Sequence, residues 1–145
     1  MSEERRLVVD TSVAVPLLVA SHEAHETVRR WAAGRSLGLS GHALAETYSV
    51  LTRLPGDARV LPDDAIALID DNFPENAALS AARATAAHRV LAERGVAGGA
   101  VYDGLVALAA EEHQAVLVSR DARARSTYEA VGVDVTTLVG SGEDR

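Results

Sequence analysis

An apolar run that ends in a carboxylate governs what this chain can fold into. In RLVVDTSVAV, Leu7, Val8 and Val9 have the character of a buried strand, and Asp10 follows where the sheet interior would end. An isolated buried carboxylate tends to neutralise rather than stay charged. Asp10 therefore needs a partner that makes its charge worthwhile. A second buried-strand run, AVLVS, is followed two residues later by another acid, Asp121.

The rest of the chain alternates strands with helices. SVAVPLLV reads as a short helix with Ser12 as N-cap and Pro16 in its first turns. SHEAHETVRRWAAG reads as a helix capped by Ser21 and stopped at Gly34, and SLGLS as a short strand. SGHALAETYSVLTRLPG extends from a Ser40 cap to Pro55-Gly56, with Leu44, Ala45, Tyr48 and Leu51 recurring at helical spacing. LPDDAIALIDDNF is an acidic helix whose Asp63, Asp64, Asp70 and Asp71 suit solvent, and ENAALS has room for a short strand. SAARATAAHRVLAERG, GGAVYDGLVALAAEEHQ and ARARSTYEAVG are further helices, and VDVTTLV is the last strand. This alternation predicts a single α/β domain over residues 1–139, a three-layer α/β/α sandwich with a mainly parallel central sheet. GSGEDR, residues 140–145, reads as a flexible C-terminal tail. In such folds ligands gather beyond the carboxyl ends of the strands, where Asp10 and Asp121 stand.

Composition narrows the chemistry. The 14 basic residues are all Arg, so a P-loop Lys, a Schiff-base Lys and a Lys general base are excluded. Cysteine is absent, which removes disulfides and thiolate metal ligands. The formal charge of −7 argues against a basic surface that coats nucleic acid. It is compatible with an enzyme whose cations screen its carboxylates, or with a basic partner. No apolar stretch approaches the roughly 18 residues of a membrane span. MSEERR lacks a signal-peptide layout, so a cytoplasmic protein is expected.

Two more acids interrupt apolar patterns: Glu46 in HALAETYSVL and Asp103 in GGAVYDGLVALAA. Each has a bland reading taken alone. Asp10 suits a turn, Glu46 a solvated helix face, Asp103 the positive end of a helix dipole, and Asp121 an N-cap for ARARSTYEAVG. Together they suggest one acidic pocket. Clustered carboxylates either protonate or hold cations, and their hard oxygens suit Mg²⁺ or Mn²⁺. Two such ions can activate water and stabilise both oxygens of an in-line phosphodiester displacement. SHEAHE has the wrong spacing for a zinc-protease helix, because His22 and His25 are separated by only two residues.

The order of these acids carries a resemblance. VVDTSV, then Glu46 in LAETYSVLTRLP, Asp103 in VYDGLVALAA and Asp121 in LVSRDARA, with TRLPG and TYEAVGVDV beside them, resemble a PIN domain. More closely they resemble the VapC-type toxins of bacterial toxin–antitoxin pairs, from Leu7 to about Val139. The resemblance implies an endoribonuclease dependent on Mg²⁺ or Mn²⁺, acting on cellular RNA as a homodimer and neutralised by a cognate VapB-type antitoxin. Carried over by position, Asp10, Glu46, Asp103 and Asp121 are its catalytic, metal-holding acids. Thr11 and Ser12 are candidates to orient Asp10 or water, and Ser119 to join the same network. Arg120, Arg123 and Arg125 beside Asp121 are candidate RNA contacts, since Arg forks around phosphate. The competing reading is a non-catalytic PIN-like module that binds RNA or protein. A further alternative is another metal-dependent phosphoesterase.

Overall fold

The computed structural model describes residues 5–139, so the expected tail over 140–145 lies outside the described residues. The elements are β1 (Leu7–Val9), α1 (Thr11–Leu18), α2 (His25–Ala32), β2 (Leu37–Leu39), α3 (Ala43–Thr52), α4 (Pro62–Asn72), α5 (Ala81–Glu93), α6 (Ala100–Glu112), β3 (Val116–Ser119), α7 (Arg125–Val131) and β4 (Val135–Thr137). A short 3₁₀ turn, Gly56–Ala58, joins α3 to α4.

All pairings among the strands are parallel, in the order β2-β1-β3-β4. Val8 sits opposite Gly38 on one side and Leu117 on the other. Val8, Val9, Leu117 and Val118 are buried, which explains the unbroken apolar runs read from the sequence. α1 packs on α2 and α3, α3 packs on α4, and α6 packs on α5 and α7. β3 touches both α1 and α6, so the sheet has helices on both faces in an α/β/α sandwich. Among the described residues no helix is long and apolar enough to cross a membrane.

The strand order sets the position of the site. From β1 the chain crosses to β2 on one side, then returns to place β3 on the other side of β1. The carboxyl ends of β1 and β3 therefore flank a topological switch point, where open α/β sheets form a crevice. Asp10 and Asp121 follow these two strand ends.

Several local expectations are corrected. The cap of α1 is Asp10, not Ser12, because the extended backbone at Asp10 lets its carboxylate accept the Ser12 amide. Ser21 does not cap α2. That helix starts at His25, after a turn in which the His22 ring accepts the Ala24 amide, and His25 Nδ1 lies 2.8 Å from the Pro16 carbonyl oxygen. Ser40 does not cap α3, since it is fully buried at the end of β2 and its hydroxyl donates to the Val106 carbonyl at 2.7 Å. The inward face of α3 is Ala43, Thr47 and Leu51, which leaves Leu44 40% exposed and Ala45 on the surface. ENAALS contributes no strand, only a parallel bridge between Ser40 and Ala77 beside β2.

That bridge requires close approach. A Cβ on Gly38 would fall 1.8 Å from the Glu75 carbonyl oxygen, inside backbone that has nowhere to move. Gly38→Ala is expected to destabilise the fold by about 1–3 kcal/mol or more, read as a lower urea midpoint.

Candidate active site

The site is built where β1, β3 and four helices, α1, α3, α6 and α7, meet. Asp10 ends β1 and is only 5% exposed. Its Oδ1 accepts the Ser12 amide at 3.0 Å and the Ser12 hydroxyl at 2.5 Å, while Oδ2 accepts the Tyr128 hydroxyl at 2.7 Å. Ser12 and Tyr128 belong to α1 and α7, so the strand-end carboxylate is held by two helices.

The hydroxyl protons follow from counting. The single proton of Ser12 goes to Asp10, so Ser12 Oγ acts as acceptor toward the Arg120 amide at 2.7 Å and Ser119 Oγ at 3.3 Å. Ser119 then donates to Ser12 and accepts the Asp121 amide at 3.0 Å. A hydrogen-bonded chain thus runs from the Asp121 backbone through Ser119 and Ser12 to Asp10. The Asp121 carboxylate accepts the Arg123 amide at 2.9 Å, an Asx-type turn after β3. It does not cap α7, which begins at Arg125 with no side-chain cap.

Glu46 and Asp103 come from helices. Glu46 is exposed on the first turn of α3 and accepts the Thr11 hydroxyl at 3.2 Å. Thr11 Oγ1 also lies 3.1 Å from Thr47 Oγ1, so Thr11 serves Glu46 and α3 rather than Asp10. Asp103 lies in the first turn of α6. Glu46 and Asp103 line one open cleft of about 520 Å³, with His42 and Tyr102 at its rim. The two rims meet through the His42 and Tyr102 rings, 5.2 Å apart.

Electrostatics ties the acids together. Burial pushes the Asp103 carboxyl above the ordinary aspartate range, followed by the charges of Asp121, Asp10 and Glu46, with Arg123 opposing. The sequence-predicted acids therefore share one field. Among the described residues no three His, Cys, Asp or Glu side chains close around a common point. The four carboxylates are hard oxygen donors, the donor type that a divalent cation takes.

The arginines divide. Arg120 lies beside the cluster, and its charge, after burial, helps hold His22 below the usual histidine range. The Arg123 side chain is 95% exposed near Asp121. Arg125 is occupied, donating to Glu129 at 2.9 Å and to Thr137 Oγ1 at 2.5 Å. Tyr128 was not among the residues singled out from sequence. Its only signal there is its place in TYEAVGVDV, where helical spacing does not reveal a hydroxyl directed at Asp10.

Residues 7–130 match the PIN domain family, and the chain belongs to it. It is 57% identical over 129 residues to Ribonuclease VapC27 of Mycobacterium tuberculosis, covering 89% of this chain and 94% of that protein. Ribonuclease VapC40 of the same organism is 44% identical over 127 residues, covering 87% and 94%. The fold is similar to that in the structure of FitAB bound to an IR36 DNA fragment, with a TM-score of 0.62, 20% identity, and 90% and 94% of the two chains covered. It is equally similar to VapBC2 from Rickettsia felis bound to promoter DNA, with a TM-score of 0.62, 15% identity, and 92% and 98% covered. The parallel α/β/α architecture expected from the sequence is the PIN architecture.

The raised Asp103 carboxyl has a consequence for stability without metal. The folded state holds that proton more tightly than the unfolded chain, so Asp103 lowers stability as pH rises from the ordinary aspartate range through its raised folded value. Asp103→Asn removes that loss. The metal-free variant is expected to unfold at higher temperature than the parent at pH 7, with the gap closing below the ordinary aspartate range, by calorimetry across pH.

Proposed function

We propose that this chain is an endoribonuclease toxin that hydrolyses RNA phosphodiester bonds with Mg²⁺ or Mn²⁺. The observation that carries the reading is geometric: Asp10 and Asp121 follow the carboxyl ends of β1 and β3 and are joined through Ser12 and Ser119, while Glu46 and Asp103 line one cleft. The similarity to two proteins named as VapC ribonucleases supports it. Asp10, Glu46 and Asp103 would hold the cation, and Asp121 would complete the acidic pocket. When bound, a divalent cation activates water and neutralises charge on the phosphate oxygens.

The chain's own residues supply positioning. Ser12 and Ser119 fix Asp10 relative to the Asp121 backbone, and Thr11 steadies Glu46. Arg120 and Arg123 would take phosphate oxygens; the bond of Arg125 to Thr137 makes it the weaker candidate RNA contact.

The partner follows from the same reading. A cognate VapB-type antitoxin would neutralise the free protein, which we place in the cytoplasm as a homodimer. Exposed Leu44, Leu61 and Ile66 offer apolar surface of the kind a protein partner covers.

Antitoxin-free protein incubated with total bacterial RNA tests the reading, with new 5′ ends mapped by sequencing. Discrete cuts are expected with Mg²⁺ or Mn²⁺ and lost with chelator. Asp10→Asn and Asp103→Asn are each expected to lower the rate by about 10² or more, since each removes a charge that acts in the transition state. Cutting that survives chelation or Asp103→Asn would overturn it. RNA binding without cutting, indifferent to metal and to Asp103, would instead mark a binding module.

The same acids predict a thermal effect. Mn²⁺ at about a hundred times its dissociation constant is expected to stabilise the parent by about 2.7 kcal/mol, and Asp103→Asn much less, as read by thermal unfolding.

A further inference from the structure

We infer that Tyr128 is a positioning residue of the metal site, its hydroxyl fixing the Asp10 carboxylate in the orientation that receives the cation. The inference rests on the reading of Asp10 as a metal-holding acid and extends that site to α7.

A carboxylate is not oriented by its rotamer alone. The last torsion of Asp is broad, so the plane of the group is set by what it bonds. Ser12 supplies donors to Oδ1 alone, through its amide and hydroxyl. Held from one side, the group retains freedom to swing its second oxygen. Tyr128 donates to Oδ2 at 2.7 Å and so holds the group from the opposite side. Three donors occupy three of the four acceptor sites of Asp10, so the one site left, on Oδ2, keeps a fixed direction.

Tyr128 is itself immobile. It is 1% exposed among the core side chains, and its ring carries the hydroxyl from α7 to the end of β1. α7 is tied down in turn, because Arg125 bonds Thr137 at the end of β4. A carboxylate oxygen only accepts, so at 2.7 Å the Tyr128 hydroxyl is the donor. The arrangement matches a general rule of metal sites, in which outer partners orient the ligating groups and tune affinity.

A buried phenol also needs some acceptor to fold, so the test must move more than stability. The probe is Mn²⁺ alone, titrated calorimetrically into metal-free, antitoxin-free protein. Tyr128→Phe keeps the ring in the core and removes only the donor. It is expected to weaken Mn²⁺ binding about 10–100-fold while leaving the circular dichroism spectrum unchanged. Replacing Tyr128 with para-aminophenylalanine restores a donor at the same place and is expected to recover most of the affinity. In an Asp10→Asn background, Tyr128→Phe is expected to change nothing further, because its effect runs through Asp10.

Unchanged Mn²⁺ affinity in folded Tyr128→Phe, beside lost affinity in Asp10→Asn, overturns the inference and leaves the metal reading intact. Unchanged affinity in Asp10→Asn overturns both. A loss in Tyr128→Phe that persists in full in the Asp10→Asn background also overturns it, since Tyr128 would then act through the general fold.

Discussion

The hydrogen bonds that hold Asp10 are the constraint on which the rest of the structure turns. β1 is central, flanked in parallel by β2 and β3, and its end borders the switch point. Moving a carboxylate there costs several kcal/mol of lost hydration. Hydrogen bonds to a charged group return roughly 1.5–3 kcal/mol each, so the amide and hydroxyl of Ser12 with the hydroxyl of Tyr128 offset that cost only as a set. Each donor comes with its own geometric demand. The Ser12 donors require α1 to begin at Thr11, directly after the strand. The Tyr128 donor requires α7 to return across the end of β1 before β4 is laid down. The order of elements around the crevice is thus coupled to a single side chain.

The four acids are not equivalent in this setting. Asp10 and Asp121 follow strand ends and are joined through Ser12 and Ser119, so their relation is set by the sheet. Glu46 and Asp103 project from helices into the open cleft, with a single hydroxyl steadying Glu46. Burial first, and then the neighbouring acids, raise the Asp103 carboxyl, so the cost of assembling the acids falls on a residue of the open cleft.

Much of this was legible in the sequence, for reasons that differ by element. VVD and LVS betray buried parallel strands because both faces of such strands are apolar, and the acids after them mark the crevice. Glu46 and Asp103 were legible as interruptions of apolar helices. The caps were less so. Ser12, Ser21 and Ser40 are all good cap residues by type, yet Ser12 faces Asp10, Ser40 faces Val106, and the chain makes a further turn after Ser21 before helix begins. Local propensity says what a serine can do, while tertiary neighbours choose among those options. α3 was legible in part: Leu51 is buried and Tyr48 packs on the core, but Leu44 and Ala45 are exposed, and the inner face includes Thr47, a polar residue bonded to Thr11. Tyr128 was illegible because its role depends on the path of α7 over β1, a contact between residues 118 positions apart.

The charge balance bears on how such a site would discriminate among RNAs. A chain with a formal charge of −7 and no Lys gives a polyanion no general attraction. At the crevice, Arg120 and Arg123 are the basic groups next to the acids, and Arg125 is spent on holding α7. On the ribonuclease reading, affinity must then come from contacts confined to the crevice and from the cations there. Binding of that kind rewards an RNA shaped to bring one backbone phosphate to the acids and neighbouring phosphates to two guanidinium groups. It gives little to RNA that merely lies along the surface. Selectivity would therefore arise from the fit of a folded or splayed-out segment, and the acidic surface contributes to it by withholding the nonspecific attraction that a basic surface provides.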